Sequence, residues 1–123
     1  MKTMSSEPGP VWVIAEAMER RVGAVSLELV GQARTLADQV GARVEAILLG
    51  EGLDEQAQQL IAAGADTVYL GDDPDLALYH PELYTEILVT LAEEKRPDIV
   101  LMGSTPMGRE LPALVAARLG TGL

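Results

Sequence analysis

Short, nearly continuous apolar runs alternate along the chain with segments whose apolar side chains recur every three or four residues. The run Val11-Trp-Val-Ile-Ala15, ending at Glu16, predicts a strand covered on both faces, because a half-exposed strand would alternate apolar with polar. A turn through Arg20-Arg21-Val22-Gly23 follows. Leu29, Val30, Ala33, Leu36, Ala37 and Val40 then fall at helical spacing up to Gly41, a helix C-cap residue. Val44 to Leu49 is the next strand, closed by Gly50, and Leu53, Ala57, Leu60 and Ile61 form a short amphipathic helix ending at Gly64. Thr67-Val-Tyr-Leu70 is a third strand, and Gly71-Asp-Asp-Pro-Asp75 is a turn cluster. Pro81 suits the start of a helix carrying Leu83, Tyr84, Ile87, Leu88, Leu91 and Ala92, which Pro97 stops. Ile99-Val-Leu-Met102 is a fourth strand. After the turn Gly103 to Arg109, a last helix holds Leu111, Leu114, Val115 and Leu119 and stops at Gly120. Pro112 would kink a helix that enclosed it deeply, so the helix is expected to begin near Met107 to Arg109.

This βαβαβαβα order predicts a three-layer αβα domain with a parallel, Rossmann-like sheet and right-handed crossovers. Strand order 3-2-1-4 is expected. Four strands would leave Ile99–Met102 as an apolar open edge, so a fifth strand beyond Leu123 is expected, as in a fragment of a longer subunit; an edge left bare is also open to self-association. Residues 1–9 read as a disordered lead-in and residues 10–123 as the domain.

Composition narrows the chemistry. Of the 123 residues, 48% are hydrophobic and 23% charged, which suits a globular core. Nine basic against 19 acidic residues give a net charge of −10, which argues against nucleic acid or an anionic membrane surface as partner. With no cysteine and one histidine, His80, thiolate and two-histidine metal sites are excluded and a Ser-His-Asp triad is disfavoured. No apolar stretch approaches the roughly 18 residues of a membrane helix, and a cytoplasmic protein is expected.

In an open α/β sheet, ligands lie beyond the carboxyl ends of the strands where strand order reverses. Order 3-2-1-4 puts that crevice between the first and fourth strands, lined by Glu16, Ala17 and the Gly103–Arg109 turn. The turn, Gly103-Ser-Thr-Pro-Met-Gly108-Arg109-Glu110, narrowly misses the phosphate-loop pattern GxxxxGK[ST]. Glu110 stands where that pattern needs a hydroxyl for Mg²⁺, and Pro106 removes one N–H from the cradle. Triphosphate hydrolysis is therefore disfavoured. Two readings stay open: Ser104, Thr105, Gly108 and Arg109 hold an anion or a partner's carboxylate, or the glycines merely make a tight turn capped by Ser and Thr. The second is favoured. Asp72, Asp73 and Asp75 are carboxylates of the kind Mg²⁺ or Ca²⁺ binds, yet around a proline they read more simply as turn and cap residues. His80 reads as a helix-entry residue, Gly50-Glu-Gly52 lacks the third glycine of a dinucleotide fingerprint, and Glu93 to Arg96 is surface charge at a helix end. No catalytic residue and no metal site is assigned.

The segment Val68 to Tyr84 closely resembles the amino-terminal domain of electron transfer flavoprotein α subunits, in which a strand leads into DDP-x-LA-x-Y-x-PE-x-Y and then a helix. Asp72, Asp73, Pro74, Leu76, Ala77, Tyr79, Pro81, Glu82 and Tyr84 fit that pattern. The opening VWVIAE of Val11 to Glu16, the strand Ile99–Met102, Gly103 to Pro112 and Ala116 to Leu119 resemble the same family, so the likeness covers residues 10–123. It implies an adenine-nucleotide-hydrolase-like sheet and a subunit of a heterodimeric flavin carrier. Such carriers take electrons from acyl-CoA dehydrogenases or similar flavoenzymes, as in fatty acid β-oxidation, and pass them to a quinone reductase or another acceptor. It further implies FAD held by a carboxyl-terminal domain of the full-length subunit, none held by residues 1–123, and a partnering β subunit. The alternative is a small universal-stress-type nucleotide-binding module, against which the missing G-x2-G pair counts.

Overall fold

The computed structural model describes residues 7–103 and 105–120. Its elements are β1 (Val11–Ile14), β2 (Ala17–Met18), β3 (Arg21–Val22), α1 (Ala24–Val40), β4 (Val44–Gly50), α2 (Asp54–Ala63), β5 (Thr67–Asp72), a 3₁₀ turn (Pro74–Leu76), α3 (Pro81–Lys95), β6 (Ile99–Met102) and α4 (Pro106–Leu119). The main sheet is parallel throughout, in the order β5-β4-β1-β6, which is the 3-2-1-4 arrangement expected. Val11 pairs with Val44 on one side and with Ile99 on the other.

The central strands are buried on both faces, which is why they read as unbroken apolar runs. One face, under α1 and α2, packs Val11, Val13, Val44, Ala46 and Leu48 on Val30, Ala33 and Leu60. The other, under α3 and α4, packs Trp12, Ile14 and Ile47 on Tyr84, Leu88 and Leu111. The helix ends follow their capping chemistry. Gly41 and Gly120 close α1 and α4 in the left-handed conformation, and His80 opens α3 by accepting from Leu83 N–H at 3.2 Å.

Three boundaries differ from the sequence reading. The turn expected at Arg20–Gly23 is a small antiparallel hairpin, β2–β3, and α1 starts directly after it at Ala24. The hairpin tip, Glu19 and Arg20, has φ of 52° and 59°, the left-handed geometry a two-residue turn needs when strands twist normally. Strand β5 runs on to Asp72, two residues into the expected turn cluster. Helix α4 begins at Pro106 rather than near Met107 to Arg109, because Thr105 caps it and a proline is well tolerated at the first helical position. Pro112 stays inside α4. Strand β6 lies at the edge of the four, with Ile99 and Val100 exposed.

Candidate functional site

Chemistry-bearing side chains gather at the carboxyl ends of the strands, and Glu16 is the hub. It leaves β1, and its N–H donates to the Ser26 hydroxyl of α1 at 2.9 Å, while its carbonyl accepts from Gly23 N–H at 3.1 Å. Its carboxylate reaches across the sheet and accepts a short hydrogen bond from the Thr105 hydroxyl. Thr105 in turn accepts from Gly108 N–H at 3.0 Å, and its carbonyl accepts from Arg109 N–H at 2.9 Å. The glycines make this closeness possible. A Cβ on Gly108 would lie 1.8 Å from the Gly103 carbonyl oxygen, and one on Gly103 would lie 3.5 Å from the Glu16 carboxylate. Thus the crevice expected between β1 and β6 is bridged by Glu16 and Thr105, and two amides of the turn are engaged in the first turn of α4.

The open space lies one strand over. A cleft of about 350 Å³ sits above the ends of β1 and β4, lined among others by Glu16, Arg20, Glu51, Leu53, Tyr79 and Met107. Hairpin residues Ala17 and Glu19 form part of its wall, as do Ala77 and Leu78. Tyr79 is held there by donating to the Glu110 carboxylate of α4 at 2.7 Å and by meeting Tyr84 edge-on, with ring centroids 5.1 Å apart. Burial, and then the Glu110 carboxylate, hold the Tyr79 phenol well above its ordinary value, so it acts at neutral pH as a donor only to that partner. Burial likewise raises Tyr84, whose hydroxyl donates to the Leu76 carbonyl at 2.6 Å.

The other candidates have plain structural work. Asp72 accepts from Gly52 N–H at 2.9 Å, and Asp73 caps the 3₁₀ turn by accepting from Asp75 N–H at 2.8 Å. Among the described residues, no group of acidic or histidine side chains is arranged to hold a metal ion. Ser104 lies outside the described residues, Thr105 and Gly108 are joined as above, and the Arg109 side chain is exposed. Glu94 and Lys95 pair at 3.3 Å at the end of α3. Sequence reasoning placed Glu16 at the crest but missed its bond to Thr105, and it missed the link between Tyr79 and Glu110. Neither pairing has a local signal, since each depends on which strands become neighbours.

With the geometry in place, comparison with known proteins is informative. A family model described as electron transfer flavoprotein domain matches residues 11–123. The chain is 45% identical over 113 residues to the electron transfer flavoprotein subunit alpha of Megasphaera elsdenii, an alignment covering 92% of this chain and 33% of that protein. It is 44% identical over 113 residues to protein FixB of Clostridium saccharobutylicum, covering 92% of this chain and 34% of that one. The chain thus spans about a third of the length of these curated relatives. Among solved structures, a universal stress protein from Archaeoglobus fulgidus in complex with dAMP superposes with a TM-score of 0.55 at 16% identity, covering 85% of this chain and 89% of that one. That likeness establishes the fold. No helix among the described residues is long and apolar enough to cross a membrane.

Proposed function

The chain belongs to the electron transfer flavoprotein family, matching its α subunits, and from that premise we propose that residues 10–123 are the amino-terminal α/β domain of a longer α-type subunit. Its role is that of a framework and subunit interface in a heterodimeric, FAD-containing carrier of the cytoplasm. The carrier takes electrons from acyl-CoA dehydrogenases or similar flavoenzymes and delivers them to a quinone reductase or another acceptor. It is a carrier subunit, and residues 10–123 contribute structure rather than catalytic groups. The flavin is held by polypeptide beyond these residues.

The observation that carries this reading is the match over residues 11–123, in a chain whose β1–β6 crossing is occupied by its own Glu16 and Thr105. A flavin or nucleotide phosphate needs free amides and a cationic surround. Here the amides of Gly108 and Arg109 are engaged, and the neighbouring cleft carries Glu16, Glu19 and Glu51 against Arg20. Ser104, Thr105, Gly108 and Arg109 serve in this proposal as turn and contact residues, with Arg109 offered to the partner.

The test is direct. The purified chain is expected to be colourless, to leave FAD fluorescence unquenched, and to bind a β-type subunit of the family. Stoichiometric flavin on the chain would overturn the assignment of the flavin to other polypeptide. Micromolar binding of AMP or ATP in calorimetry would instead favour a universal-stress-type nucleotide module.

A further inference from the structure

The carboxyl-end crest holds three features that the fold does not require. Met18 and Leu78 are 80% and 82% exposed, the highest values among the exposed large hydrophobic side chains of the described residues, and both belong to segments that wall the same cleft. A buried core gains nothing from them, and apolar groups gathered at the mouth of a cleft are the usual mark of a contact surface. Between them, the hairpin tip holds Glu19 and Arg20 in the left-handed region, where a side chain costs on the order of 1–2 kcal/mol per residue. The tip is held in place by Gln56, which donates to the Arg20 carbonyl at 2.6 Å. The third feature is charge. The cleft lining carries carboxylates at Glu16, Glu19 and Glu51 against the single guanidinium of Arg20, and the Asp72 carboxylate is fixed beside it on Gly52 N–H. Glu16 is committed to Thr105, which leaves Glu19 and Glu51 facing the opening.

We propose that this crest, with Met18 and Leu78 as apolar flanks and Glu19 and Glu51 at the cleft between them, is the surface on which the β-type subunit docks, by a segment presenting a lysine or arginine between apolar side chains. The proposal rests on the family reading above and adds the place and the chemistry of contact. Charge selects the occupant. A nucleotide phosphate meets carboxylates at the rim, and a second copy of this chain brings the same acidic crest and another net charge of −10. A cationic side chain meets complementary charge, with apolar area on both sides to seal it from water.

The experiment measures calorimetric binding of a purified β-type subunit of the family to the whole chain at two salt concentrations. Met18→Ser with Leu78→Ser is expected to weaken binding at least about tenfold with the thermal midpoint unchanged, because both side chains are solvent-exposed already. Glu51→Lys is expected to weaken binding and to flatten its salt dependence. If the wild-type chain binds and the double variant binds equally well, the crest is not the docking surface, while the family reading stands. Displacement of the subunit by AMP would assign the cleft to a nucleotide and overturn the proposal. A wild-type chain that binds no β-type subunit overturns both.

Discussion

Under α1 and α2 the sheet presents Val13, Val44, Ala46 and Leu48 to Val30, Ala33, Ala37 and Leu60, a contact made wholly of small and branched aliphatic groups. Under α3 and α4 it presents Trp12, Ile47 and Tyr69, together with a buried carboxylate, Glu45, that accepts from the Trp12 indole at 3.1 Å. The chain's single tryptophan and its three tyrosines all belong to this second face. Burial, and then Glu45, raise the Tyr69 phenol, whose ring lies 5.5 Å from the Lys95 ammonium. The first face is a plain aliphatic seal, insensitive to orientation. The second is held by directional bonds that run upward to the crest through Tyr84, Tyr79 and Glu110. Stability and shape are therefore divided between the faces: one drives burial, and the other fixes where the loops of the docking surface stand.

The largest effect should come from opening the aliphatic seal. Leu60 is fully buried between α2 and the sheet, and Leu60→Ala removes three methyl-bearing carbons from a site whose neighbours are already small. A loss of about 3 kcal/mol is expected, read by denaturant unfolding with unchanged slope. Leu78→Ala at the crest should change stability by less than about 0.5 kcal/mol. Equal costs at the two positions would mean that the crest is part of the core and would dissolve the contrast.

Most of this architecture was legible because the aliphatic seal writes itself into sequence as unbroken apolar runs, and because Gly41, Gly64, Pro81 and Gly120 punctuate the helices. The reversal at β1 followed from the usual connectivity of parallel sheets. The hairpin was not legible, since its tip uses Glu19 and Arg20 where two-residue turns ordinarily signal themselves with Asn or Gly. Gly103 and Gly108 correctly indicated a tight strand-to-helix turn, and Thr105 its cap. What closes that turn could not be read. Glu16 and Thr105 are 89 residues apart, and a carboxylate seeking a hydroxyl leaves no periodic trace. The cleft accordingly opens above β1 and β4 rather than at the reversal itself.

A second prediction probes the directional face. Trp12→Phe keeps an aromatic ring in the core but takes the indole donor from Glu45, which is 7% exposed. A buried carboxylate that loses a donor costs more than the bond was worth, and a loss of about 2 kcal/mol is expected, followed by circular dichroism because the only tryptophan is gone. Adding Glu45→Met should restore part of it. If the double variant is no more stable than Trp12→Phe alone, the indole matters for its volume and the face is less directional than argued.

The smallest effect sits at the rim of the aliphatic face. The Arg34 guanidinium of α1 pairs with Asp38 at 2.7 Å and Asp66 at 2.9 Å and reaches the Gly64 carbonyl at 3.3 Å, tying the ends of α1 and α2 to the start of β5. The Asp66 carboxylate also accepts from Val44 N–H at 2.8 Å. That backbone bond, and then Arg34, hold Asp66 below the ordinary carboxylate value. A carboxyl whose folded value is depressed binds protons more readily when unfolded, so its contribution is complete above about pH 4 and is lost as pH falls through the lower, folded value. The Asp66 side chain is 35% exposed, so solvent screens the pair, and Asp66→Asn should cost about 1 kcal/mol at neutral pH. The gap between wild type and variant should close on acidification toward about pH 2. A gap that persists undiminished in acid would show that Asp66 acts through shape rather than charge, and that even the rim of the aliphatic face owes nothing to electrostatics.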